Sequence, residues 1–249
     1  MSPGSTRSPD LTERTGRRRR LGGIAALAGV VLWLPGLLPG CSVEVDDEGR
    51  EVRIALIDGA VARVSELECF AIEQAPGAQG SDHGTAVASV LLDVLQSGCA
   101  DADQVRLGSF PVLDADGGGV TANDVASALS RALEWGADVV NVSIDLRDGS
   151  RELEAAVVAA ERERVPVVAA AGNRMGLPAG FPAAYPSVVA VGAADVAGTP
   201  LWSSATEGVD VYVRGSSVLT LNSRGQWVTR EGTSFAAALY TRELAASLR

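Results

Sequence analysis

Five short apolar runs, Val52–Ile57, Val105–Val112, Val139–Ile144, Val165–Ala171 and Val188–Ala193, are separated by longer stretches of helical pattern. Runs of this length, rich in β-branched residues and apolar throughout, read as buried strands. Their alternation with helices predicts an α/β chain, a parallel sheet flanked by helices on both faces. The helices are expected over Gly84–Leu95, from Thr121 to about Trp135, from Ser150 to about Arg164, and from Ser234 to the end. Thr121 with Asp124 makes a capping box, and Gly136 closes that helix. Asn222-Ser223-Arg224-Gly225 separates two short runs as a hairpin turn would. No linker or composition break divides residues 52–249, so they are expected to form one domain.

Charge narrows the classes of partner. Residues 41–249 carry fifteen basic and twenty-nine acidic residues, a net charge of about −14. Such a surface repels phosphate backbones, so no nucleic-acid partner is expected.

Residues 1–40 read as an export signal rather than fold. Arg17–Arg20 form a positive run, Leu21–Leu38 an apolar stretch, and Leu38-Pro39-Gly40-Cys41 places small residues before a cysteine. The last four resemble the lipobox of bacterial lipoproteins, in which the cysteine thiol is acylated and begins the mature chain. On that reading Cys41 is the lipidation site, residues 41–51 are a short mature N-terminal segment, and the domain is extracytoplasmic and tethered to a membrane. An uncleaved span and an ordinary signal with an incidental cysteine are the alternatives. Cys69 and Cys99 are either a disulfide closing a loop of about thirty residues or two buried free thiols. With one histidine and no Cys-x-x-Cys pair, a zinc site is not expected.

Four segments deliver polar side chains among apolar ones. Asp58, in Ile57-Asp58-Gly59, stands at the end of the first strand, where open parallel sheets bind ligands; a turn cap is the plainer role. His83, in Asp82-His83-Gly84-Thr85, opens a helix and is the single histidine of the chain. Asn173 ends the run Ala169-Ala170-Ala171-Gly172-Asn173, and its amide could donate to an oxyanion. Ser234, in Gly232-Thr233-Ser234-Phe235-Ala236, sits at a helix start, where serine is otherwise a common N-cap.

Together, in this order, the four segments resemble the subtilase family of serine peptidases. The resemblance continues through Pro111–Gly117, Gly136–Ser143 and Phe181–Ala193, and covers most of the chain from Val52 to Leu248. It implies a subtilisin-like fold and an endopeptidase acting on protein or peptide substrates. It makes Ser234 the nucleophile, His83 the general base and Asp58 the residue that orients His83. Asn173 and the Ser234 N–H would bind the oxyanion. Ser143, Ile144 and Asp145, with Ala171 and Gly172 opposite, would hold the substrate as an added strand. Phe181-Pro182 falls where the family often has a cis bond. No cofactor is implied, and a structural calcium ion is left open.

The chain departs from the family pattern at three places. Gly59 directly follows the aspartate where threonine or serine is usual, Ala238 replaces a proline, and Asp145 replaces a glycine. A carboxylate at Asp145 would attract a substrate arginine or lysine if it faces the pocket, and would not if it faces solvent or pairs with Arg147. Ser42–Glu51 is too short to be the folding pro-domain usual in exported members. These three departures keep in view a catalytically weak or inactive binding module on the same fold, and the shared acyl-transfer chemistry keeps in view an esterase or amidase for small molecules.

Overall fold

The computed structural model describes residues 50–113 and 119–249. Cys41, the export segment, most of residues 41–51 and the stretch Asp114–Gly117 lie outside the described residues.

Seven parallel strands form the main sheet: β1 (Val52–Gly59), β2 (Ala71–Gln74), β3 (Val105–Leu113), β4 (Val139–Val142), β5 (Val167–Ala170), β6 (Val188–Ala194) and β7 (Val211–Arg214). Their spatial order is β2-β3-β1-β4-β5-β6-β7, so β1 lies between β3 and β4 near the middle. Side chains alternate along β1 between two cores, as the pleat requires. Val52, Ile54 and Leu56 join the core under α1 (Asp82–Leu91) and α4 (Thr233–Ala246). Ala55 and Ile57 join the core under α2 (Ala122–Glu134) and α3 (Arg151–Glu163). Every side chain from Ile54 to Asp58 is therefore buried, which places a charged group where only a dedicated partner can satisfy it.

The expected strands and helices are present, and two strands were not foreseen. β2 and β7 are the edges of the sheet, four residues each, paired on one side and only partly buried. Neither offers the uninterrupted apolar run that marked the inner strands. The hairpin expected around Asn222–Gly225 is β8 (Val218–Leu221) and β9 (Trp227–Arg230), paired antiparallel. The Thr121–Asp124 capping box forms as expected. Helix α1 begins two residues before Gly84, because Ser81 caps it by accepting from the Gly84 N–H at 2.9 Å. It stops at Leu91, short of Leu95, and Asp93 follows in a left-handed conformation, φ 52°.

Cys69 and Cys99 are joined as a disulfide, with Cα atoms 5.9 Å apart. It ties the chain before β2 to the turns after α1. The Phe181-Pro182 peptide bond is cis.

Candidate active site

The site assembles at the carboxyl end of β1, β4 and β5. Asp58 is the penultimate residue of β1, fully buried, and the pairing with β3 shifts register just after it. One carboxylate oxygen accepts from the Gly59 N–H at 2.5 Å. His83 is the second residue of α1, and its Nδ1 lies 2.8 and 2.9 Å from the two Asp58 oxygens. Because a carboxylate can only accept, Nδ1 carries the proton and Nε2 is left as the basic nitrogen.

This contact requires α1 to start hard against the end of β1. Two glycines permit it. A Cβ on Gly84 would fall 2.0 Å from the Gly59 carbonyl oxygen, and a Cβ on Gly59 would fall 2.2 Å from Ser81 Oγ. The departure at Gly59 thus has a local cause: the space a side chain would take there is filled by the cap of α1.

The His83 side chain is about one-third exposed, at 37%. Burial is the largest influence on its pKa and pushes it down. The hydrogen bond and negative charge of Asp58 together outweigh that, while Arg230 opposes them, and the net shift is upward from 6.5. Arg230, the last residue of β9, also approaches Asp82 at 3.8 Å. Asp82 in turn accepts from the backbone N–H of Ser223 at 2.9 Å and from its hydroxyl, clasping the hairpin to the start of α1. Arg230 Nε is buried with no hydrogen-bond partner among the described residues.

Ser234 is the second residue of α4 and 8% exposed. The helix is entered through Gly232, at φ 141°, which offers no side-chain cap. Of the first N–H groups of α4, that of Thr233 is met by Asn173, and the Ser234 N–H next to it stands at the positive end of the helix. The following residue, Phe235, packs against His83 with ring centroids 5.8 Å apart, which brings the imidazole to the start of α4.

Asn173 lies across from this helix start. Its Oδ1 accepts from the Thr233 N–H at 3.1 Å. A backbone N–H can only donate, so this bond fixes which end of the amide faces Thr233 and turns Nδ2 away from it. The Thr233 hydroxyl also accepts from the Gly172 N–H at 3.3 Å, so Thr233 buckles the Ala171–Asn173 segment to α4. A second tie joins α4 to β4. The Thr241 hydroxyl donates to Asn141 Oδ1 at 3.0 Å, Asn141 Nδ2 donates to Ser143 Oγ at 2.9 Å, and Ser143 Oγ donates to the Ser234 carbonyl at 3.4 Å. Asn141, Ser143 and Thr241 are all buried. Asn141 and Thr241 were not singled out from sequence; the amide inside the apolar run Val139–Ile144 was the available signal.

Among the substrate-strand residues, Ile144 is buried in the core, whereas Asp145 turns toward Arg174. Its partner is Arg174 rather than Arg147. Arg174 Nε lies 2.7 and 3.0 Å from the two Asp145 oxygens, and Nη2 lies 2.7 Å from Oδ1. Among the described residues, no three His, Cys, Asp or Glu side chains converge as a metal site.

A buried aspartate, a histidine held by it and a serine at a helix start are thus brought to the carboxyl end of a parallel sheet. The model of the subtilase family matches residues 53–248. The chain is 32% identical to subtilisin DY of Bacillus licheniformis over 203 residues, covering 76% of this chain and 74% of that one. It is 31% identical to subtilisin E of Bacillus subtilis (strain 168) over 202 residues, covering 76% of this chain and 53% of that one. Among solved structures, the patellamide maturation protease PatA superposes with a TM-score of 0.70 at 30% identity, covering 79% of this chain and 78% of that one. A cold-adapted subtilisin-like serine proteinase superposes with a TM-score of 0.69 at 27% identity, covering 80% and 76%. The chain belongs to the subtilase family, and its fold and activity class are those of a subtilisin-like serine endopeptidase.

Proposed function

We propose that Asp58, His83 and Ser234 form the catalytic triad of an exported endopeptidase that cleaves proteins or peptides. The observation that carries this reading is the pairing of His83 Nδ1 with both oxygens of buried Asp58, with the imidazole packed against Phe235 at the start of α4. A substrate strand lies along Ser143–Asp145. Ser234 Oγ attacks the scissile carbonyl carbon as its proton passes to His83 Nε2, and Asp58 stabilises the imidazolium without taking the proton. The carbonyl oxygen becomes an oxyanion and receives hydrogen bonds from Asn173 Nδ2 and the Ser234 N–H. The C–N bond then breaks, and His83 returns its proton to the leaving amine. Water repeats the sequence on the Ser234 ester, releasing the acid and restoring the serine. This acid–base chemistry calls for no cofactor.

Gly59 and Ala238 do not weigh against activity. Gly59 is accounted for by Ser81, and Ala238 is a buried core residue about one turn along α4 from Ser234, where alanine continues the helix. A fluorophosphonate probe should label the wild type and not Ser234→Ala. Absence of labelling in the wild type would favour the binding-module reading.

We further infer that the enzyme works outside the cytoplasm, held at a membrane by acylated Cys41. The charged and apolar run before Leu38-Pro39-Gly40-Cys41 supports this, as does the Cys69–Cys99 disulfide, since such bonds persist in oxidising compartments. Intact-mass analysis after expression in a bacterium that processes lipoproteins should find acyl chains on the wild type and none on Cys41→Ser. An unmodified Cys41 in the wild type would overturn the tether.

A further inference from the structure

The extensions of β4 and β5 run to the same helix start. They are Ser143–Leu146 and Ala171–Asn173. Both touch the nucleophile segment, the first through Ser143 Oγ and the Ser234 carbonyl, the second through Asn173, Gly172 and Thr233. Gly180 and Phe181 bridge the two segments: Leu146 and Phe181 exchange two backbone hydrogen bonds, at 2.9 and 2.8 Å, and the Gly180 N–H donates to Ala171 O at 3.1 Å. A side chain next to the bond cleaved at Ser234 would enter here.

The space between these segments is occupied by the chain's own Asp145 and Arg174. The Asp145 carboxylate lies where two glycines leave room for it: a Cβ on Gly172 would be 2.4 Å from Oδ2, and one on Gly180 would be 1.9 Å from Oδ1. Arg174 covers it through the bidentate contact described above, with 20% of its side chain and 28% of that of Asp145 exposed. Burial raises the Asp145 pKa, and the hydrogen bond and charge of Arg174 offset this only in part. A carboxylate cupped by glycine backbone and met by a planar guanidinium is the arrangement that binds an arginine side chain. The arginine already in it belongs to residue 174.

We propose that Arg174 is a built-in occupant of a cation-binding specificity pocket, so that the enzyme cuts after small uncharged residues and loss of Arg174 converts it to cutting after arginine or lysine. This rests on the reading of Ser234 as nucleophile. Two terms set the wild-type preference. The pair is neutral, so the Asp145 charge is already spent and gives a substrate cation no net attraction. Arg174 is also tethered, and its effective concentration at Asp145 is about millimolar or higher, above that of an ordinary peptide substrate. With the space over Gly172 and Gly180 taken, glycine or alanine fits before the cut bond and leucine or phenylalanine does not.

The test has one arm that needs no catalysis. In full-length protein carrying Ser234→Ala, p-aminobenzamidine is titrated by fluorescence with Arg174 intact, with Arg174→Ala and with Arg174→Gln, the last keeping most of the stem. Each Arg174 variant should bind the probe about tenfold or more tighter than intact Arg174, and adding Asp145→Asn should remove the gain. In the second arm, peptides differing at the residue before the cut are cleaved by proteins that retain Ser234. The wild type should prefer alanine, Arg174→Ala should prefer arginine by about tenfold, and Asp145→Gly with Arg174→Ala should admit leucine. No gain in probe binding in either Arg174 variant, or a wild type that cuts after arginine or leucine as readily as after alanine, would overturn the proposal. Failure of every variant to cleave any peptide would sink the peptidase reading, while the titration would still decide the pocket.

Discussion

Gly84 approaches Gly59 so closely that a Cβ on it would lie 2.0 Å from the Gly59 carbonyl oxygen. This contact sets the separation between the end of β1 and the start of α1, and with it the distance from Asp58 to His83. The obstacle at Gly84 is backbone, which cannot rotate away. At Gly59 it is the Ser81 side chain, with Oγ at 2.2 Å and Cβ at 2.8 Å from the position a Cβ would take.

Gly84→Ala should therefore be the more damaging of the two alanine substitutions. We expect it to lower stability by about 1–3 kcal/mol and turnover by a larger factor, because the strain is relieved only by moving His83 away from Asp58. Gly59→Ala should be partly rescued by Ser81→Gly, less the loss of the cap on α1. Urea melts and peptidase rates on the four proteins check this ordering. Equal damage from the two alanines, or no rescue at Gly59, would refute it.

The same two glycines mark how far sequence could reach. Asp58, His83, Asn173 and Ser234 were singled out because their four segments, in this order, resemble the subtilase family; each alone reads equally as a cap or a structural residue, and only the fold shows that Asp58 meets His83 and Asn173 meets the start of α4. The inner strands were legible because burial on both faces demands apolar runs. The edges β2 and β7 were not, since a strand with one neighbour tolerates residues such as Glu73, Gln74 and Arg214 that carry no pattern. The choice of Arg174 over Arg147 as partner of Asp145 depends on where β5 emerges beside β4. Pairing across 29 residues is a property of the sheet rather than of spacing along the chain.

The electrostatics of His83 predict the pH dependence. His83 acts as base only when neutral, so activity should rise as pH climbs through its pKa, which stands above 6.5 in the folded protein. In Asp58→Asn the influences that raise it are lost while burial and Arg230 remain. The acid limb should then move to lower pH, and turnover should fall by about 10⁴-fold as the imidazole loses its fixed tautomer. Removing the Arg230 charge with Arg230→Gln should move the limb the other way. Stability follows the same linkage. With the folded pKa raised, the contribution of His83 is fully present below the unfolded value of about 6.5 and is lost as pH rises through the folded one. The acid limb of kcat/KM in the three proteins checks the signs. An unchanged limb in Asp58→Asn would show that Asp58 does not set the protonation of His83.

Asn141 sits fully buried in β4 and joins Thr241, in the middle of α4, to Ser143, which bonds the Ser234 carbonyl. Its amide is the right group for this position because it accepts from one hydroxyl and donates to another, leaving Ser143 Oγ free to donate onward to the Ser234 carbonyl. Neither Asp nor Leu can do both. Asn141→Leu leaves the buried Thr241 hydroxyl without its acceptor and the buried Ser143 without its donor. We expect a loss of about 1–3 kcal/mol from unsatisfied buried groups. The cost should be smaller when Thr241→Val is added, because one stranded hydroxyl is removed with its partner. Turnover should fall in Asn141→Leu with little change in KM, since the helix start that carries Ser234 is held less firmly while the substrate strand stays in place. Urea melts of the single and double variants test the coupling, and steady-state kinetics test the consequence. Additive losses of stability would mean that Asn141 and Thr241 act independently, and an unaltered kcat would mean that the tie between β4 and α4 does not position Ser234.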